Sequence, residues 1–155
     1  MRAVWPMDQK VTFQMLKAEI QLANTLSAVP GLLDQLDRTL AAMDVPDADA
    51  FQVKLALEEL ITNAINYGFD AGQTSQLEVA LQRQNEDLIC ELRDHGRIFN
   101  PLDVVEPDVT LDVDHRKVGG LGVFFVRQVM DDVSYERAGN MNVMRLRKTL
   151  GREGE

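Results

Sequence analysis

Between Asp47 and Gly68 the apolar residues Val53, Ala56, Leu57, Leu60, Ile61, Ala64 and Ile65 recur at spacings of three and four. That spacing marks one face of a helix turned toward a core. No other stretch of the chain constrains the fold as tightly. Asp47 stands where a cap is expected, and Gly68 is the residue type suited to a left-handed C-terminal turn.

The remaining elements are arranged around this helix. The run VTFQMLKAEI, 11–20, alternates imperfectly and predicts a strand. Ser27 is placed to cap a second helix with Pro30 in its first turn. Its stripe is Leu32, Leu33, Leu36, Leu40 and Met43, and it ends near Asp44-Val45-Pro46. The runs 77–84 and 87–94, parted by Asn85-Glu86, predict an antiparallel hairpin, as do 132–137 and 142–150 around Ala138-Gly139-Asn140. Residues 95–118 carry two prolines and many acidic residues with little periodicity, the pattern of a long functional loop. The glycines of 118–122 then open a helix over 123–131. This order predicts an α+β two-layer sandwich: one mixed, mostly antiparallel sheet covered on one face by about three helices. With 155 residues, no internal repeat and no linker, 1–155 reads as a single domain.

Charge and cysteine count narrow the chemistry. The net charge of −9, from 25 acidic and 16 basic residues, disfavours nucleic acid and anionic membranes as partners. Cys90, the sole cysteine, lies in an apolar run and permits neither a disulfide framework nor a structural zinc site. No spanning segment or signal pattern is present, so a cytoplasmic location is expected.

Three segments bear polar residues suited to a nucleotide. Glu59 and Asn63, four residues apart, share a helix face with Asn66 beside them. An amide oxygen on a rigid helix suits Mg²⁺, which takes few protein oxygens, and a carboxylate beside it can orient or deprotonate a hydroxyl. Alone, such a pair more often marks a solvated helix face. Asp94 ends a strand before His95-Gly96, where a carboxylate could accept from an exocyclic amine and Gly96 would let a base lie close to the backbone. A simple turn accounts for that motif equally well, and His95 carries no assigned role. Gly119, Gly120 and Gly122 stand at a helix start, a favourable anion site that a ligand-free glycine cap would also explain. The segment has neither the lysine ending of a phosphate loop nor the βαβ context of a dinucleotide fingerprint.

Taken together, ALEELITNAINYG (56–68), LRDHGRIFNP (92–101) and VGGLGVFFVRQVMD (118–131) resemble the N box and two glycine boxes of the GHKL ATPase superfamily. The resemblance is nearest to the anti-sigma-factor serine/threonine kinases and related histidine-kinase-like ATPase domains, and it covers nearly the whole chain. It implies a Bergerat-type ATP-binding fold, with ATP and Mg²⁺ as cofactors. It further implies Glu59 as catalytic base, Asn63 as Mg²⁺ ligand, Asp94 as the adenine-amine acceptor with Gly96 shaping the pocket, and the backbone of Gly119, Gly120, Leu121 and Gly122 as phosphate site. The lid would run over about 99–118, with Arg116 and Lys117 able to reach a terminal phosphate or simply solvated. Where the superfamily usually carries another glycine this chain has Ile98. Arg97-Ile98-Phe99-Asn100-Pro101 fits the pattern of the anti-sigma branch instead.

The function implied is a Mg-ATP-dependent serine kinase and anti-sigma factor in a partner-switching module. Its partners would be an anti-anti-sigma protein of STAS type and a sigma factor, and it could form a homodimer. Two other classes are weighed: a module that sequesters its partner with ATP or with no nucleotide and transfers nothing, and a histidine-kinase catalytic domain, which would need a dimerisation helix pair that this chain has no room for.

Overall fold

The computed structural model describes residues 17–103 and 120–151. Its elements are β1 (Lys17–Ala23), α1 (Val29–Ala42), α2 (Asp47–Gly68), β2 (Gln76–Gln84), β3 (Asp87–Asp94), α3 (Gly120–Val129), β4 (Asp132–Ala138) and β5 (Met141–Thr149). Short 3₁₀ turns stand at Leu26–Ala28 and Pro101–Asp103. The five strands form one sheet in the order β1-β2-β3-β5-β4. Every pairing in it is antiparallel, so the expected mixed sheet is corrected to a wholly antiparallel one among the described residues.

Side-chain alternation decides which face is covered. In β3 the buried residues are Leu88, Cys90, Leu92 and Asp94, and their register partners on β2 and β5 include Leu81, Val79, Leu77, Leu146, Met144 and Asn142. These meet the stripes of α1 (Leu32, Leu36, Leu40) and α2 (Val53, Ala56, Leu57, Leu60, Ile61) in one core. The row is apolar until its last position, where Asp94 and Asn142 stand opposite each other on the helix-facing side. The other face bears charge: Arg93 bridges Glu78 at 2.6 Å and Glu91 at 2.8 Å, Glu91 also pairs with Arg145, and Arg147 holds Asp132 at 2.5 Å.

Several expected boundaries shift. The first strand is Lys17–Ala23 because it pairs along β2 from Gln76 to Gln82; positions 11–16 of the expected strand lie outside the described residues. Ser27 does not cap α1. A 3₁₀ turn precedes that helix, and the Ser27 hydroxyl faces Thr25 Oγ1 at 3.2 Å instead. At the start of α2 the cap position is Pro46, with Asp47 and Asp49 inside the first turn, where their charge complements the helix dipole. Gly68 makes no left-handed turn; it is the last helical residue and the chain leaves through an extended Phe69. α3 begins at Gly120, so Gly120 and Gly122 belong to its first turn rather than preceding it.

Candidate functional site

α2 carries the first polar pair. Asn63, 7 % exposed, donates through Nδ2 to Glu59 Oε2 at 2.9 Å, and Glu59 is half-buried. With its amide nitrogen turned to the carboxylate, Asn63 keeps its carbonyl oxygen as the atom available to a cation. Asn66, expected on the same side, is exposed. Gly122 lies directly against the Glu59 carboxylate, and a methyl group built on it would overlap that carboxylate. The first turn of α3 is therefore seated on Glu59, at the positive end of a helix dipole.

The second group stands farther along, at the C-terminal end of α2. Asp94 is 5 % exposed. Its Oδ1 accepts the Gly96 N–H at 2.8 Å and Asn142 Nδ2 at 3.0 Å. Gly96 packs on the end of α2: a Cβ there would come within 2.5 Å of the Gly68 carbonyl oxygen. That carbonyl accepts the Arg97 N–H at 2.8 Å, and the Arg97 guanidinium donates to the Tyr67 carbonyl at 2.5 Å and pairs with Asp70. Gly68 follows Glu59 by nine positions, about 13 Å along the helix axis.

Asn142, Tyr135 and Arg137 escaped the sequence reading. Asn142 is 3 % exposed. Its Oδ1 accepts Tyr135 O–H at 2.5 Å, Arg137 at 3.1 Å and the Phe99 N–H at 3.4 Å. Its Nδ2 also donates to the Arg97 carbonyl at 2.8 Å, and Arg137 donates to the Gly96 carbonyl at 2.9 Å. The signal was present, since Asn142 falls on the strand phase of Met144 and Leu146, where an amide calls for buried partners. Cys90 takes no part: burial pushes its thiol up to about 12.

The structure thus joins Glu59, Asn63 and Gly122 within the C-terminal half of α2, and Asp94 and Gly96 at its C-terminal end. Arg116, Lys117 and Gly119 lie outside the described residues, as does the expected lid beyond Asp103; Gly120 and Leu121 are placed in the first turn of α3. Among the described residues no group of three or more His, Cys, Asp or Glu could hold a metal, and no helix is long and apolar enough to cross a membrane.

The family model of the histidine kinase-like ATPase domain matches residues 22–148. The chain belongs to that family. It is of the GHKL type, and its α+β fold is that of the family's solved relatives. Among curated proteins the chain is 23% identical over 96 residues to the serine/threonine-protein kinase BtrW of Bordetella bronchiseptica, covering 62% of this chain and 68% of that one. To the serine-protein kinase RsbW of Listeria monocytogenes it is 28% identical over 85 residues, 52% of this chain and 54% of that protein. The chain thus spans about half the length of the Listeria RsbW proteins it matches. Among solved structures, that of the RsbU and RsbW domains of Rv1364c from Mycobacterium tuberculosis superposes with a TM-score of 0.61 at 16% identity, over 88% of this chain and 33% of that chain. A chain of the SiaB-SiaC complex from Pseudomonas aeruginosa gives 0.52 at 13%, over 95% and 98%.

Proposed function

We propose that this histidine kinase-like ATPase domain is a Mg-ATP-dependent protein serine kinase of a partner-switching module. It phosphorylates an anti-anti-sigma partner of STAS type and in its other state holds a sigma factor. The observation that carries the reading is that one helix, α2, seats both the Gly122 turn on Glu59 and the Gly96 turn on Gly68. The residues that a nucleotide would need at its two ends are thereby held at a fixed separation. The relatives named as serine kinases, and the neighbour solved in the SiaB-SiaC complex, support a protein substrate.

The residues fit the cofactor. Gly122 lets the first turn of α3, whose helix N-terminus suits an anion, close onto α2 at Glu59, and Asn63 offers one amide oxygen where Mg²⁺ takes few protein ligands. Bound Mg-ATP supplies the phosphoryl group and the cation that offsets its charge. Asp94 would accept from the adenine amine, with Gly96 beside the base. The phosphates would be taken by the segment that the resemblance assigns to them, Gly119, Gly120, Leu121 and Gly122, with Arg116 and Lys117 as the cations for the terminal one. Asn63 would hold the cation through its oxygen, and Glu59 would orient the partner's serine hydroxyl and accept its proton.

The test is transfer of label from radiolabelled ATP, with Mg²⁺, to a serine of candidate STAS-type proteins. Glu59→Ala is expected to lower transfer by at least about a hundredfold while nucleotide binding persists. Partner binding with no transfer by the unmodified chain would leave only a sequestering module, and absence of Mg²⁺-dependent nucleotide binding would sink the reading entirely.

A further inference from the structure

We propose that Asn142 is the positioning residue for Asp94, fixing which carboxylate oxygen meets the base and so setting the preference for a 6-amino purine over a 6-oxo purine. The inference rests on the nucleotide reading above and deepens it.

The orientation of the Asn142 amide is decided by its neighbours. An arginine can only donate, and Arg137 lies 3.1 Å from one end of the amide; that end is also reached by the Phe99 N–H, another obligate donor, and by Tyr135 O–H at 2.5 Å. The end they share must therefore be the carbonyl oxygen, which leaves the NH₂ group facing Asp94 and the Arg97 carbonyl. Both hydrogen bonds that reach Asp94 from the described residues end on Oδ1, one from Asn142 and one from the Gly96 N–H. Oδ2 takes neither bond. With the Asn142 amide and the Gly96 N–H both spent on Oδ1, Oδ2 is the oxygen left to accept from an incoming amine. A ligand bearing a carbonyl oxygen in place of that amine would set two acceptors against each other.

Arg137 adds to this from the adjacent strand. It ties the Gly96 carbonyl at 2.9 Å as well as Asn142. The β4–β5 hairpin consequently orients both the carboxylate and the turn that follows it.

The experiment measures the affinities of ATP and inosine triphosphate, which carries an oxygen where ATP carries the exocyclic amine, for the full chain with Mg²⁺ by calorimetry. The unmodified protein is expected to favour ATP. In Asn142→Leu, ATP affinity should fall roughly tenfold while inosine triphosphate stays within about twofold, so that the ratio collapses. A residue that merely supports the fold would weaken both nucleotides alike, and that result overturns the proposal. Asp94→Asn separates the two levels of the argument: if it abolishes the ATP preference and Asn142→Leu leaves it intact, the nucleotide site stands and the role of Asn142 falls. If the unmodified protein binds neither nucleotide, both fall together. Should Asn142→Leu fail to fold, as judged by circular dichroism, Tyr135→Phe removes a single oxygen from the amide's surroundings. It should produce the same ATP-only loss at roughly threefold, and an unchanged ratio there counts against the proposal.

Discussion

Gly96 and Gly122 are both glycines for want of space, yet the obstacles differ in kind. At Gly96 a methyl group would meet the Gly68 carbonyl oxygen, which is backbone in the last turn of α2 and cannot step aside as a side chain can. At Gly122 it would meet the end of the Glu59 side chain, which can rotate. Gly96→Ala is therefore expected to cost about 1–3 kcal/mol in chemical denaturation. Gly122→Ala should cost under about 1 kcal/mol but drive Glu59 from its 2.9 Å bond with Asn63, removing phosphoryl transfer from a still-folded protein. Equal destabilisation by the two would contradict this assignment of neighbours. Sequence reading selected both glycines, and from motif alone. The partner of each lies more than 25 positions away, Gly68 for Gly96 and Glu59 for Gly122, so the steric reason appears only once the chain is folded.

Helix α1 shows how an element closes without the residue type that usually closes it. Val45 N–H bonds to the Leu40 carbonyl at 3.0 Å and Asp44 N–H to that of Ala41 at 3.0 Å, with Asp44 at φ 57°. This is a Schellman end, normally made with glycine, and buried Val45 stands in its usual apolar position. Arg83 on β2 donates to the Met43 and Asp44 carbonyls at 2.8 Å each, placing a cation at the helix C-terminus. Asp44→Gly should relieve the left-handed strain and raise stability by about 0.5–1 kcal/mol, read as a shift of the urea midpoint at unchanged slope. The end of α1 was legible near Asp44-Val45-Pro46, and both hairpins were legible from their alternation, because these signals are local. Ser27 and Asp47 misled as caps because other backbone, the 3₁₀ turn at Leu26–Ala28 and the extended Pro46, took the positions that propensity assigns them. Gly68 misled differently: a side chain there would meet open space, and what the fold uses is its carbonyl, which any residue supplies.

For the whole molecule, the order of elements was readable and the polar hub was not. The layered α+β arrangement follows from the apolar phases of α1, α2 and the four hairpin strands. The Asp94–Asn142 pairing depends on β5 lying beside β3 rather than at an edge, which no single segment announces. With a net charge of −9, a nucleotide bringing several more negative charges would bind weakly unless a cation accompanied it. Mg-ATP at about a hundred times its dissociation constant should then add about 2.7 kcal/mol and raise the melting temperature by several degrees. ATP with chelator should give little of that shift, and equal shifts in both would separate nucleotide binding from Mg²⁺.

That two glycine turns rest on a single 22-residue rod makes α2 a gauge. Its pitch, set by backbone hydrogen bonds and insensitive to surface side chains, holds the two stops apart at a constant interval. One residue inserted between the two would turn one stop about 100° from the other, so the interval admits no change of length.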